Sequence, residues 1–217
     1  MIGYSTERIR LAIVVAADAH KDQKRKEKGI PYISHPLGAT IRLALIPNIP
    51  EDVLVAMILH DTLEDTKLSP KKILKLFGQN VLRIVSALTE TDKRLAWETR
   101  KKHTINTIRK GDLQIKMVAC ADKLDNLQSI QDAIKAEKIK IPKEVPNAQV
   151  WNSFIRGYQS QKWYYQAVLK ALFVNVAYDD LPLIFGKYMR LVEKIFGEKV
   201  IIDKKARANV RRVKKNK

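Results

Sequence analysis

The chain has 217 residues, one cysteine, and 41 Lys and Arg against 23 Asp and Glu, for a formal net charge of +18. That length suits one domain, or a domain with an extension, and lets it bury a core without a disulfide framework. The charge excess attracts polyanions and leaves nucleic acid, acidic membrane and phosphorylated metabolites open as partners. No stretch reaches the roughly 20 apolar residues of a membrane span, and no charged start leads into a long apolar run. The reading is a soluble, cytoplasmic protein with a reduced, buried Cys120.

Apolar residues recur at helical spacing along the chain, and alternating strand patterns are missing, so the fold is expected to be all-α. A long first helix is predicted over 6–28, burying Ile9, Ile13, Ala16 and Ala17 and ending at Gly29. Pro36 suits the first turn of a second helix over 37–44, leaving His35 at its entrance. A third helix starts near Glu51, and its run of Val, Ala, Met, Ile and Leu on nearly all sides predicts the centre of a bundle. "SPKKILKLFG" has a Ser cap, an early Pro and a terminal Gly, the signs of a short helix. Further helices are predicted over 80–88, 97–110 and 113–133. A connector over 136–148 then leads to helices over 151–178 and 181–196, whose aromatics look like packing residues rather than a ligand platform. Residues 1–197 read as a single domain, and 198–217 as a basic tail that solubilises the chain or contacts nucleic acid.

The chemistry concentrates in "ILHDTLEDT", residues 58–66. His60 and Asp61 point about 100° apart on a helix, within reach of one metal at their shared edge. Glu64 and Asp65 follow each of them by four residues, one turn along the same faces. Acids at the end of a buried helix oppose its macrodipole, so a purely structural helix end would favour Lys or Arg, and a divalent cation would compensate. In "MVACADKLDNL" Asp122 follows an apolar run, with Asn126 one turn on. His35 adds an imidazole. Two histidines and two aspartates make a mixed nitrogen and oxygen set that suits Mn²⁺, Fe²⁺ or Zn²⁺ better than an all-oxygen magnesium cage, and the set suggests hydrolysis. Arg25 and Lys26, in "DQKRKEKG", can hold an anionic substrate or belong to a solvated face. His20 and His103 stay outside the metal set.

The strings "AADAHKDQKRKEKGIPYISHP", "HDTLEDT", "FGQNVLRIVSALTE" and "ADKLDNL" resemble, in order and spacing, the HD-domain hydrolases of the RelA/SpoT group. The resemblance covers 16–127 well and implies an α-helical HD bundle. It implies one divalent metal, usually manganese, held by His35, His60, Asp61 and Asp122. It implies that Glu64 and Asp65 assist the attacking water, while Arg25, Lys26 and Asn126 hold the nucleotide. Members of the group remove the 3′-pyrophosphate from (p)ppGpp alarmones, and this chain, with no room for a synthetase domain, is similar to the stand-alone small alarmone hydrolases. It departs from them in carrying Asp125 where members often have histidine, an extra acid that would repel a polyphosphate. Two other readings stand beside this one. The first is hydrolysis of another phosphorylated nucleotide or dinucleotide, and the second is a basic nucleic-acid-binding module on an HD scaffold.

Overall fold

The computed structural model describes residues 6–25, 29–90, 92–177 and 181–202. Among them are ten α-helices and no named strand, so the architecture is an all-α bundle. Lys26 and most of the basic tail lie outside the described residues.

Two helices form the centre. α3 (Glu51–Leu59) buries every residue from Val53 to Leu59, which accounts for its apolar character on all sides. α8 (Leu113–Ala136) is the long spine, started by the Asp112 side chain accepting from the Ile115 amide. α1 (Thr6–Ala19), α2 (Ser34–Ala44) and α6 (Gln79–Leu88) pack on α3, and α2 and α10 (Leu183–Phe196) pack on α8. α5 (Pro70–Phe77) has the expected Ser69 cap and N-terminal proline. It ends at Gly78, whose φ of 86° suits a residue without a Cβ.

The first helix is shorter than its sequence suggests. It stops at Ala19, and the polar run after it has no apolar face to bury. The chain instead doubles back. Lys24 and Pro31 form an isolated antiparallel bridge, flanked by Arg25 N–H to Ile30 C=O and Tyr32 N–H to Gln23 C=O, both 2.9 Å. Gly29 turns that loop at φ 62°. α2 starts three residues early, at Ser34, so His35 and Pro36 both lie in its first turn.

The back half also departs from expectation. Trp151 sits in a short 3-10 stretch (Gln149–Ser153), where its indole N–H donates to Val145 C=O at 2.6 Å. Around it cluster Phe154, Tyr158 and Phe196, with ring centroids 5.4–6.1 Å away. Closing that cluster needs a bend, so α9 begins only at Tyr158 and runs to Leu172. α9 packs against α7 (Trp97–Lys110), where Trp97 meets Trp163 and Tyr164. The carbonyls of Ala171 and Val174 are capped by the buried Lys116 ammonium, at 3.4 and 2.6 Å. No helix among the described residues is long and apolar enough to cross a membrane.

Candidate metal centre

His60 and Asp61 do not continue α3 as one rod. Asp61, with φ −93° and ψ −5°, starts a separate short helix, α4 (Thr62–Asp65). Its carbonyl accepts from the amides of Glu64 and Asp65, while the Thr62 hydroxyl donates back to Leu59 C=O at 2.6 Å. The acids therefore flank the start of a new turn as well as the end of α3, which relieves part of their conflict with the macrodipole.

Three elements meet at this joint. α2 supplies His35, the α3–α4 joint supplies His60 and Asp61, and α8 supplies Asp122. His35, His60 and Asp122 are buried, and each offers one ligand atom within 4.8 Å of the others'. Asp61 Oδ2 lies 2.8 Å from His60 Nε2 and 3.8 Å from His35 Nε2. Asp122 Oδ1 lies 3.4 Å from His35 Nε2 and 3.9 Å from His60 Nε2.

The outer contacts fix which atoms face inward. His60 Nδ1 lies 2.9 Å from Met57 C=O, which can only accept, so Nδ1 carries a proton and in the neutral ring Nε2 keeps the lone pair. His35 Nδ1 faces Asp125 Oδ2 at 2.8 Å and is fixed in the same sense. Tyr32 donates its hydroxyl to Asp61 Oδ2 at 2.6 Å. On Asp122, Lys123 takes Oδ2 and the Asn126 amide donates to Oδ1, each at 2.6 Å.

Buried His60 Nε2 has no hydrogen-bond partner despite its 2.8 Å approach to Asp61. With the ring neutral, a lone pair and a carboxylate oxygen face each other there without a donor between them. Such a pair repels unless a proton or a cation is shared, and the mixed imidazole and carboxylate donors fit a borderline divalent metal. Electrostatics agree. Burial pushes Asp61 up, yet positive charge on the adjacent His60 and His35 rings holds it well below the usual carboxylate range. Burial lowers His35, but the carboxylates of Asp122 and Asp125 outweigh it and raise its pKa to about 9. The pocket favours positive charge at its centre.

Apart from Lys26, which lies outside the described residues, the expected water-handling and substrate residues reach the same place. Burial, with the neighbouring Glu90, Asp65 and Asp61 charges, raises Glu64, whose Oε2 accepts from the Glu90 amide. Asp65 is held by Lys93 at 2.6 Å and receives the Gln23 side-chain amide on its backbone carbonyl. Arg25 reaches Asp125, Asn126 and the Ser129 hydroxyl. An inner cavity of about 210 Å³, lined by the four candidate ligands together with Glu64, Lys101 and Lys123, opens beside a cleft of about 720 Å³.

With that geometry in view, comparison identifies the scaffold. The HD domain family matches residues 12–156. This chain belongs to the HD domain family. A guanosine-3′,5′-bis(diphosphate) 3′-pyrophosphohydrolase, MESH1 of Drosophila melanogaster, is 35% identical over 133 residues, 60% of this chain and 74% of that protein. MESH1 of Danio rerio is 37% identical over 117 residues, 53% of this chain and 64% of its own. Among solved structures, lmo0812 of Listeria monocytogenes EGD-e superposes with a TM-score of 0.67 at 38% identity, over 76% of this chain and 99% of that one. A metazoan ortholog of SpoT that hydrolyzes ppGpp does so with a TM-score of 0.66 at 28% identity, over 87% and 97%.

Several residues of this HD site escape sequence reasoning. Tyr32 and Lys123 act on Asp61 and Asp122, but nothing in their spacing marks them. Asp125, at first sight an acid that would repel a polyphosphate, is paired with Arg25 at 3.0 Å and Arg42 at 3.5 Å and holds His35. Its charge is spent within the protein. Glu90 is likewise engaged by Arg100, Lys101 and the Thr104 hydroxyl.

Proposed function

We propose that this HD domain is a metal-dependent phosphohydrolase that removes the 3′-pyrophosphate from guanosine tetra- or pentaphosphate, as part of stringent-response alarmone turnover in the cytoplasm. The observation that carries this reading is the convergence of His35, His60, Asp61 and Asp122 in an inner cavity beside a cation-lined cleft. These four residues hold one divalent ion, with Mn²⁺ as first choice and Fe²⁺ or Zn²⁺ as alternatives. When bound, that ion supplies Lewis-acid charge that makes a water acidic near neutral pH and offsets phosphate charge.

The side chains do the rest. His35 and His60 present fixed lone pairs because Asp125 and Met57 C=O hold their other nitrogens. Glu64, with one oxygen tied to the Glu90 amide, keeps the other for a water proton, and its raised pKa suits proton uptake. Asp65 assists at the cleft mouth, where Lys93 neutralises it. Arg25, Lys26 and Asn126 hold the nucleotide. Water oxygen joins the phosphorus next to the ribose as its bond to the 3′ oxygen breaks, and the 3′ oxygen takes up a proton, leaving pyrophosphate with GDP from the tetraphosphate or GTP from the pentaphosphate.

The test incubates the manganese-loaded chain and its Asp61→Ala variant with ppGpp and follows GDP and pyrophosphate by ion-exchange chromatography. Product from the wild type alone supports the assignment. No product from a folded, metal-bound wild type sinks this substrate and moves the search to other phosphorylated nucleotides.

A further inference from the structure

The inner site is crowded with charge that is already matched. Arg25 is engaged by Asp125, Lys93 by Asp65, Lys123 by Asp122, and Arg100 and Lys101 by Glu90. A nucleotide with phosphate groups at both the 3′ and 5′ positions brings more negative charge than this balanced interior and one divalent ion can offset. The 210 Å³ inner cavity suits the reacting end of such a molecule, and the 720 Å³ cleft outside it must take the remainder.

Two further cations line that outer cleft, Lys24 and Lys67. Both are exposed, and neither forms an ion pair among the described residues. Their backbones are nonetheless pinned. Lys24 sits in the antiparallel bridge to Pro31. Lys67 lies between Thr66, whose hydroxyl donates to Thr62 C=O, and Leu68, whose amide donates to that same hydroxyl. Two mobile ammonium groups on fixed bases, at the rim of a cleft whose inner cations are engaged, make a site for distal phosphate.

We propose that Lys24 and Lys67 form an outer anion subsite that takes the phosphate cluster at the 5′ end of the nucleotide and so sets preference by the number of 5′ phosphates. This rests on the reading of the site as a hydrolase of 3′-pyrophosphorylated nucleotides. It adds a specificity contact remote from the reacting bond, which belongs in KM rather than kcat.

The test uses the full manganese-loaded chain and guanosine 3′-diphosphates that differ only at the 5′ position, from free hydroxyl to triphosphate. In the Lys24→Ala, Lys67→Ala double variant, KM for the 5′-diphosphate rises roughly three- to tenfold, the worth of two exposed ion pairs. The rise is larger for the triphosphate and absent for the 5′-hydroxyl, with kcat unchanged. Lys67→Arg with Lys24→Arg restores the wild-type order, and Lys71→Ala, at an exposed position of α5 outside the cleft, leaves every KM alone. An equal change for all 5′ states, or none, overturns the subsite. If the wild type turns over none of these compounds, the hydrolase reading fails. The subsite is then judged separately by calorimetric affinities of the same nucleotides without added metal, where loss of 5′-phosphate dependence in the double variant supports it and an unchanged dependence refutes it.

Discussion

Asp125→Asn removes one charge and almost no volume from the support behind His35. In the wild type, Asp125 Oδ2 accepts from His35 Nδ1 at 2.8 Å and from Arg25 at 3.0 Å, with only 12% of the Asp125 side chain exposed. Asparagine keeps an acceptor for Nδ1–H, so the tautomer and ring orientation survive. The lost carboxylate leaves the imidazole a weaker donor to a cation. Partners behind a metal-bound histidine are typically worth 10- to 100-fold in metal affinity, or about 1.4 to 2.8 kcal/mol. Water screens little at a site this enclosed, so the upper half of that range is expected. Calorimetric titration of Mn²⁺ into the apo protein reads the effect directly, without substrate. Ser129→Ala, which removes only the 3.0 Å contact to Arg25, is the control and leaves the affinity unchanged. An Asp125→Asn affinity within twofold of wild type would refute the idea that this carboxylate tunes His35.

Other perturbations follow from the same structure. Gly38→Ala normally gains about 1 kcal/mol in a helix, but here the new Cβ sits 3.1 Å from Asp125 Oδ1. Mn²⁺ affinity should therefore fall several-fold, and a more stable variant with wild-type affinity would contradict this. Lys116→Met keeps the apolar stem but leaves the carbonyls of Arg109, Ala171 and Val174 without their donor. Urea denaturation should show a loss of about 2 kcal/mol, and equal or greater stability would mean that burying the ammonium costs more than the caps return. Glu90 is depressed below its usual value, because Lys101 and Arg100 outweigh the opposing effect of burial. The unfolded chain therefore binds the proton more readily, and the Glu90 contribution is present above pH 4.5 and lost as pH falls through the lower folded value. Glu90→Gln should cost about 2 kcal/mol at pH 7, with the gap from wild type closing in acid. A gap that stays constant from pH 7 to 3 would rule out this ion-paired role.

The sequence alone determined what local periodicity and composition can carry. Seven apolar residues from Val53 to Leu59 leave no polar face, so α3 had to be central. The Ser69 cap and Gly78 terminus delimit α5 because caps answer to backbone valence within a few residues. The types of the candidate ligands, two imidazoles and two carboxylates, could be read before any fold was known, because donor chemistry belongs to the side chain. Tertiary structure decided the rest. Residues 20–25 obey helical propensity only weakly, and the bonds of Gln23 to Asp65 and of Arg25 to Asp125, 42 and 100 residues away, pull that segment into a loop. Trp151 looked like the start of a helix until its indole found Val145 C=O. Asp125 could be read from sequence only as an added negative charge. Whether that charge repels a phosphate or steadies a histidine depends on which groups the fold brings within 3 Å of it, because Coulomb and hydrogen-bond energies are set by distance in space and not by separation along the chain.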